Sequence, residues 1–339
     1  MDWKKIIKDI RVRSVSEEAI SLARKYGYRV YMVERYIRLL GLEDAKRLLD
    51  AFEKPLKPVI RCNDLRIDCD KLASLLEDLG FRLEYIPWSI HGYRVVEEPP
   101  RPSIGATHEY LKGYYYVHRD AAPLAVALIL EPSPEDKVLD GCAAPGGKAT
   151  HLAQLMKGRG LVVANDIALY RLRALVGHVL RMGLWNIVVT WSDLRKMPRM
   201  TRRRYNKILL DVPCSAEGAI MFDKTRKKKT TQLDLARIVA REIELLNAGL
   251  DLLEDNGILL YVTCSIAPEE NEYVITRILE MRDDVDVVEP PRKLFNWSPG
   301  VTRFHKLLFD NRVEKCIRIW PHIHNMMGMF MCMLSKTRA

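Results

Sequence analysis

The chain has 339 residues, enough to bury a sizeable core and to form two domains. Hydrophobic residues make up 48%, which excludes a disordered chain, and no apolar run is long enough to span a bilayer. The 54 Lys and Arg against 44 Asp and Glu leave a net charge of +10, which favours a polyanionic partner, most simply a nucleic acid; the rich Lys, Arg and Glu content also fits a thermophile.

The opening MDWKKIIKDIRVRS alternates charged and apolar residues and lacks the apolar core of a signal peptide, so a cytoplasmic protein is expected. Residues 1–55 repeat Leu, Ile, Arg, Lys and Glu at helical spacing. In SVSEEAISLARKYG, Ser14 or Ser16 caps a helix that Gly27 stops; RVYMVERYIRLLG and LEDAKRLLDAFE read as two more helices, divided by Gly41. A small helical bundle follows from this. Residues 56–97 alternate strand-like and helical stretches, as a small α+β unit does, and the Pro-rich EEPPRPSIG at 97–105 reads as a linker. The expected divisions are therefore 1–55, 56–105 and 106–339.

Seven cysteines, an odd number with no CxxC pair, suggest neither a disulfide framework nor a zinc site. Cys62 and Cys69 are the closest pair, in a context that reads as a strand. Cys316 and Cys332 read as core residues. HIH at 322–324 has ligand chemistry but no partner cluster, so no metal is expected.

From residue 106 onward, five short apolar runs alternate with helical segments: DKVLDGC, GLVVAND, NIVVTWSD, KILLDVPC and GILLYVTC. Apolar runs without polar alternation are strands buried on both faces. This predicts an α/β fold, a Rossmann-like doubly wound sheet preceded by the smaller helical and α+β region. The tail, EKCIRIWPHIHNMMGMFMCMLS, would add edge strands.

In such a sheet the ligand lies beyond the carboxyl ends of the strands. Those ends carry Asp140, Asp166, Asp193, Asp211 with Cys214, and Cys264. The competing explanation for each Asp is helix capping. The first loop, LDGCAAPGGKAT, is built of small residues and leads into a helix N-terminus. It fails as a Walker loop, since Gly147 stands where Lys belongs and Ala149 follows Lys148, and it lacks the dinucleotide fingerprint. Asp166, twenty residues past Gly146, is placed to bind a ribose. A nucleoside-bearing cofactor without a pyrophosphate fits, and S-adenosylmethionine is the obvious candidate, with Asp193 accepting from the adenine amino group. Spacing does not say which of Cys214 and Cys264 is a nucleophile; a buried inert thiol is the alternative for either.

Together DGCAAPGGKAT, DVPCSAEG and YVTCSIAPEENE closely resemble the Sun/Nop-type (Fmu-like) RNA cytosine-5 methyltransferases, which act on tRNA or rRNA. The resemblance spans about residues 106–337, and residues 56–97 look like the small RNA-binding unit of that family. MMGMF departs from the closing DGFF motif. The resemblance implies that Cys264 is the nucleophile, adding to C6 of cytosine so that C5 attacks the methyl group. It implies that Cys214 helps release the product, that Asp211 binds the N3 or N4 edge of the base, and that Lys148 lies nearby. The cofactor would be held by Cys142, Ala143, Ala144, Pro145, Gly146, Gly147 and Lys148, with Asp166 and Arg171 at the ribose, Asp193 at the adenine and Asp211 at the junction with the base.

Two basic runs, RKMPRMTRRR (195–204) and KTRKKKTT (224–231), are candidates for phosphate contact, the second more so because it follows the DVPCS strand. GYYYVH (113–118) either stacks bases or packs. The expected function is an RNA cytosine-5 methyltransferase, on tRNA before rRNA, working as a monomer. The rivals are a P-loop or NAD enzyme and a non-catalytic RNA-binding protein on the same scaffold.

Overall fold

A computed structural model describes residues 2–337. The helices are α1 (Trp3–Ile10), α2 (Glu17–Tyr26), α3 (Val30–Leu40) and α4 (Leu42–Glu53). Of these, α2 to α4 form the expected bundle, while α1 packs apart from it, with Ile6 and Ile10 buried in the core of the large sheet. Ser16 caps α2 by accepting from the Ala19 amide, and Gly27 ends it at φ +79°, a left-handed conformation that only glycine adopts without strain. The bundle does not stand alone. Tyr36, Leu48 and Phe52 share a core with Ile220, Met221, Ile266 and Trp320 from the far end of the chain.

Next come β1 (Val59–Cys62), α5 (Cys69–Asp78), β2 (Arg82–Tyr85), β3 (Gly92–Glu97), the single turn α6 (His108–Leu111) and β4 (Tyr115–His118). They make an antiparallel sheet in the order β2-β3-β1-β4, so this sheet straddles the Pro-rich stretch. Tyr115 and Tyr116 are buried in β4, which decides for packing over base stacking. Cys69 opens a helix instead of lying in a strand, and this turn brings it to Cys62 in a disulfide. A second disulfide joins Cys316 and Cys332. The expectation of unpaired cysteines is corrected at both places: an irregular spacing of seven or sixteen residues hides pairs that the fold makes adjacent.

The remaining elements are α7 (Ala122–Leu130), β5 (Lys137–Asp140), α8 (Gly147–Leu155), β6 (Leu161–Asp166), α9 (Leu169–Met182), β7 (Ile187–Trp191), the turn α10 (Met197–Met200), β8 (Tyr205–Asp211), the turn α11 (Arg226–Lys229), α12 (Gln232–Leu252), β9 (Leu253–Thr263), α13 (Glu272–Met281) and β10 (Val285–Val288). They are followed by β11 (Ser298–Pro299), the β12–β13 hairpin (Arg303–Phe304 and Leu307–Leu308), β14 (Ile317–Ile319), the turn α14 (Pro321–His324) and β15 (Met329–Lys336). The large sheet runs β11-β14-β15-β9-β8-β5-β6-β7, with β10 also pairing to β15. The five strands foreseen, β5 to β9, are its parallel part.

Their uninterrupted apolar character has a direct cause. Val138, Val162, Leu209, Leu260 and Val262 face α7 and α8, while Leu139, Ile208, Leu210, Leu259 and Tyr261 face α12 and α13. Both faces are covered along β5, β6, β8 and β9, which favours apolar residues there. β7 is the exception, the last strand of the sheet with Val188 and Trp191 exposed, which corrects the expectation of burial on both faces for that run. The expectation for the tail is corrected as well. β15 is no edge strand: it pairs with β9 on one side and with β14 and β10 on the other. The order turns back between β5 and β8, and such a switch opens a crevice at the strand ends.

Candidate active site

Two adjoining features fill that crevice. On the β5–β6–β7 side lies a cleft of about 260 Å³ walled by Gly141, Cys142, Asn165, Asp166, Ile167, Arg171, Ser192, Asp193, Leu194, Arg195, Pro213, Arg241 and Leu245. Four of the anticipated cofactor residues, Cys142, Asp166, Arg171 and Asp193, line it. Ala143, Ala144, Pro145, Gly146 and Gly147 form the turn behind it. The turn is pinned to β6, since the Ala143 amide donates to Asn165 O at 2.8 Å and the Ala144 amide to Asp166 Oδ2 at 3.1 Å. Asp166 Oδ1 accepts from the Ala168 amide at 2.8 Å, and Arg171 donates to Ala144 O. Asp193 caps a turn, accepting from the Arg195 amide and guanidinium, and it also lines the cleft.

Asp140 precedes Gly141 at the end of β5 and is buried, and its Oδ1 has no hydrogen-bond partner. Burial first, and then the charge of Asp211, push its pKa up to about 8. A buried carboxyl with a free oxygen beside a nucleoside-sized cleft suits a cationic ligand. S-adenosylmethionine, with its sulfonium and ammonium, fits this chemistry.

On the β8–β9 side the two thiols meet. Cys214 Sγ and Cys264 Sγ are 3.2 Å apart, unlinked by a bond. Lys148, on the first turn of α8, donates to Asp211 Oδ2 at 2.6 Å in front of them. Burial opposes the Lys148 charge, but Asp211 and then Cys264 outweigh it and raise its pKa. The Cys214 thiol is held well above its ordinary range, first by its hydrogen bond with Cys264 and then by burial. Cys214 is thus held in its protonated form. Pro213, the residue before Cys214, belongs to the cleft wall, while Lys148, Asp211 and the two thiols do not line the cleft itself.

The loops that carry the thiols are tied from behind. Gly218, past Cys214, donates to Cys264 O at 2.9 Å, and the Gly328 amide donates to Gly218 O at 2.9 Å. A Cβ on Gly218 would lie 1.9 Å from Gly328 O. The altered MMGMF motif therefore keeps the one residue whose backbone approach matters, Gly328. Arg35 of α3 pairs with Glu217 at 2.6 Å and Glu269 at 3.1 Å, all three side chains fully buried.

The second basic run is largely engaged here. Lys224 reaches Glu53 and Phe52 O, Lys227 reaches Glu53 and Tyr26 O, and Arg226 donates to Ser215 O. These three dock the bundle onto the thiol loop, which corrects the expectation that the whole run faces phosphate; Lys228 and Lys229 stay exposed. Among the described residues no cluster of metal-ligating side chains occurs, and no helix is long and apolar enough to cross a membrane.

Sequence reading missed Asn165, Ser192, Arg195, Arg241 and Leu245 in the cleft. Asn165 carries a signal, since it shares a strand end with Asp166, and it donates to Gly141 O and Ser192 O. Arg241 and Leu245 come from the middle of α12 and carry none.

The sequence matches the family described as 16S rRNA methyltransferase RsmB/F over residues 127–335, and the N-terminal domain of 16S rRNA methyltransferase RsmF over residues 31–118. A 28S rRNA (cytosine-C(5))-methyltransferase of Mus musculus is 35% identical, the alignment covering 96% of this chain and 41% of the relative. The 25S rRNA (cytosine-C(5))-methyltransferase nop2 of Schizosaccharomyces pombe is 33% identical, covering 99% of this chain and 55% of the relative. The chain thus spans about half the length of these curated relatives. The crystal structure of a methyltransferase homolog protein from Pyrococcus horikoshii superposes with a TM-score of 0.84 at 32% identity, covering 95% of this chain and 100% of that one.

Proposed function

Because the chain belongs to the RsmB/F methyltransferase family, we propose that it transfers a methyl group from S-adenosylmethionine to C5 of a cytosine in RNA. The observation that carries the reading is the pair of thiols 3.2 Å apart at the ends of β8 and β9, with the Lys148–Asp211 pair beside them and Pro213 in the cleft wall.

The cofactor would lie against Asp166, Arg171 and Asp193 with its cationic end toward Asp140, and it supplies an electrophilic methyl group. The protein's own residues do the rest. Cys264 Sγ, as the thiolate, forms a bond to C6 of the cytosine, and the ring electrons move toward C5, which takes the methyl group. Asp211 engages the N3 or N4 edge, where charge develops on addition, and Lys148 holds the carboxylate in place. The C5 proton then passes to solvent water, its bonding electrons restore the C5–C6 double bond, the C6–S bond breaks and the thiolate returns to Cys264. Cys214, protonated beside it, assists this release. The target base must be unstacked to reach the thiols.

The relatives named above act on ribosomal RNA, and that substrate class is favoured for this chain. Transfer RNA, the expectation from sequence, is the second arm of the test. Methyl transfer from labelled cofactor to total tRNA and to rRNA, followed by bisulfite mapping, separates the two. Cys264→Ala is expected to reduce transfer to background. Cys214→Ala is expected to accumulate a protein–RNA adduct that survives denaturing electrophoresis. Full activity in Cys264→Ala would overturn the assignment.

A further inference from the structure

We propose that Glu270 is a positioning residue that sets the separation of the two thiols by binding the serine that follows each of them. The inference rests on the reading of Cys214 and Cys264 as the reacting pair.

Glu270 lies fully buried in the turn between β9 and α13. Its Oε1 accepts from the Ser215 amide at 2.6 Å. Its Oε2 accepts from Ser215 Oγ at 2.5 Å and also from Ser265 Oγ. The two serine hydroxyls are 3.3 Å apart. Ser215 directly follows Cys214, and Ser265 directly follows Cys264. One carboxylate therefore joins the ends of β8 and β9 at the residues next to the thiols. Burial first, and then the Glu217 charge, push the Glu270 pKa up to about 7 against the opposing pull of the serine bonds. In the ionised form those bonds are short and directional, so the two loops move as one.

The clamp is itself held. The Tyr261 hydroxyl donates to Glu270 O at 2.8 Å. Asn271 takes a bond from Thr263 Oγ1 at 2.7 Å and donates to Ser265 O at 3.1 Å. Glu269, on the other side, is paired with Arg35. Behind Glu270 lies the buried Glu242 of α12, its carboxyl facing that of Glu270. Burial and then the Glu270 charge push the Glu242 pKa well up, so Glu242 is the neutral member of the two. A fully buried carboxylate is costly where packing alone is wanted, since any apolar side chain would fill the space. The three bonds to both thiol loops give this acid a role that an apolar residue lacks.

The test uses the full chain and a readout independent of methylation. Diamide oxidises neighbouring thiols, taking two hydrogens from Cys214 and Cys264 and leaving a disulfide, which peptide mass mapping locates. Glu270→Ala is expected to slow this crosslinking, and Glu270→Gln to slow it less, since the amide keeps one acceptor oxygen. In the transfer reaction Glu270→Ala should lower kcat by about 100-fold, the scale of a misplacement of roughly 1 Å, with the KM for cofactor and RNA near the parent value. If Glu270→Ala loses its fold by circular dichroism, the Ser215→Ala/Ser265→Ala double variant carries the test, with the same slow crosslinking expected. Crosslinking at the parent rate in a folded variant overturns the proposal. Slow crosslinking in a chain that methylates no RNA would sink the methyltransferase reading and leave the clamp standing.

Discussion

Two fully buried arginines brace the two halves of the site, and they do it differently. Arg35, from the helical bundle, meets two carboxylates, Glu217 and Glu269, behind the thiol loops. Arg61, from the small sheet, meets only neutral acceptors at the start of α8: Gly147 O at 2.8 Å, Thr150 Oγ1 at 2.9 Å and Gln154 Oε1 at 3.0 Å. The thiol half is thus locked by paired charge across more than 180 residues of sequence. The cofactor half is made mostly of local turns, with one guanidinium holding its helix from outside. The comparison teaches that both halves are braced from afar, the thiol half by paired charge and the cofactor half by hydrogen bonds to neutral acceptors.

Removing each arginine separates the two modes. Arg35→Met leaves two carboxylates buried without a counter-charge and is expected to cost about 3–5 kcal/mol. Adding Glu217→Gln and Glu269→Gln should recover part of that loss, because the uncompensated charges go with it. Arg61→Met leaves only neutral acceptors and removes a buried unpaired cation, so about 1–3 kcal/mol is expected. Urea denaturation midpoints give all of these values. Equal costs at Arg35 and Arg61 would erase the distinction.

This contrast also explains what the sequence disclosed. The cofactor half was legible because its parts lie in consecutive strand–turn–helix units: Asp140, Cys142, Asp166 and Asp193 each sit where a strand stops. The thiols were legible for the same reason. Their ordering was not, and the geometry adds to the resemblance there only by setting Lys148 beside Cys264. The braces were illegible. Nothing local in VYMVERYIRLL marks Arg35 as the partner of acids beyond residue 216, and a helical arginine reads as solvated. The paired cysteines were missed on the same ground, since pairing follows from topology and not from spacing.

The disulfides lie one in each half. Cys62–Cys69 follows Arg61 in the small sheet, and Cys316–Cys332 ties the strands beside β9. Each is expected to contribute about 2–3 kcal/mol by restricting the unfolded chain, the longer loop giving more. Comparing urea midpoints with and without a reductant tests this, and Cys62→Ser and Cys316→Ser assign the shares. A midpoint unmoved by reduction would show that the pairs are not formed in solution.

Asp140 marks the cofactor half by its response to pH. Its folded pKa of about 8 lies above the ordinary aspartate value of 3.8, through burial and then Asp211. The folded state therefore binds the proton more tightly than the unfolded chain does. The stability this gives is complete at low pH and is lost as pH rises through about 8. Asp140→Asn cannot lose a proton, so its stability relative to the parent should grow from pH 5 to pH 8.5. A difference independent of pH would mean that the carboxyl is ionised throughout.

The smallest effects are expected at the surface, where the second basic run divides between the bracing and the partner. Lys224 and Lys227 are held by Glu53, so replacing them by Ala should loosen the bundle and reach RNA binding only indirectly. Lys228 and Lys229 are exposed, with their α11 turn anchored to Arg29 through the Lys227 and Lys228 carbonyls. If these two meet phosphate, replacing both by Ala should lower the slope of log affinity against log salt by about 2, roughly one for each lost contact. Stability should not move, since neither side chain touches the protein core. The same measurement on Arg202→Ala and Arg203→Ala, exposed in the first run just before the start of β8, sets the two runs against each other. A larger change in slope from the first run would place the RNA path toward the amino end of β8 and away from the thiol loop.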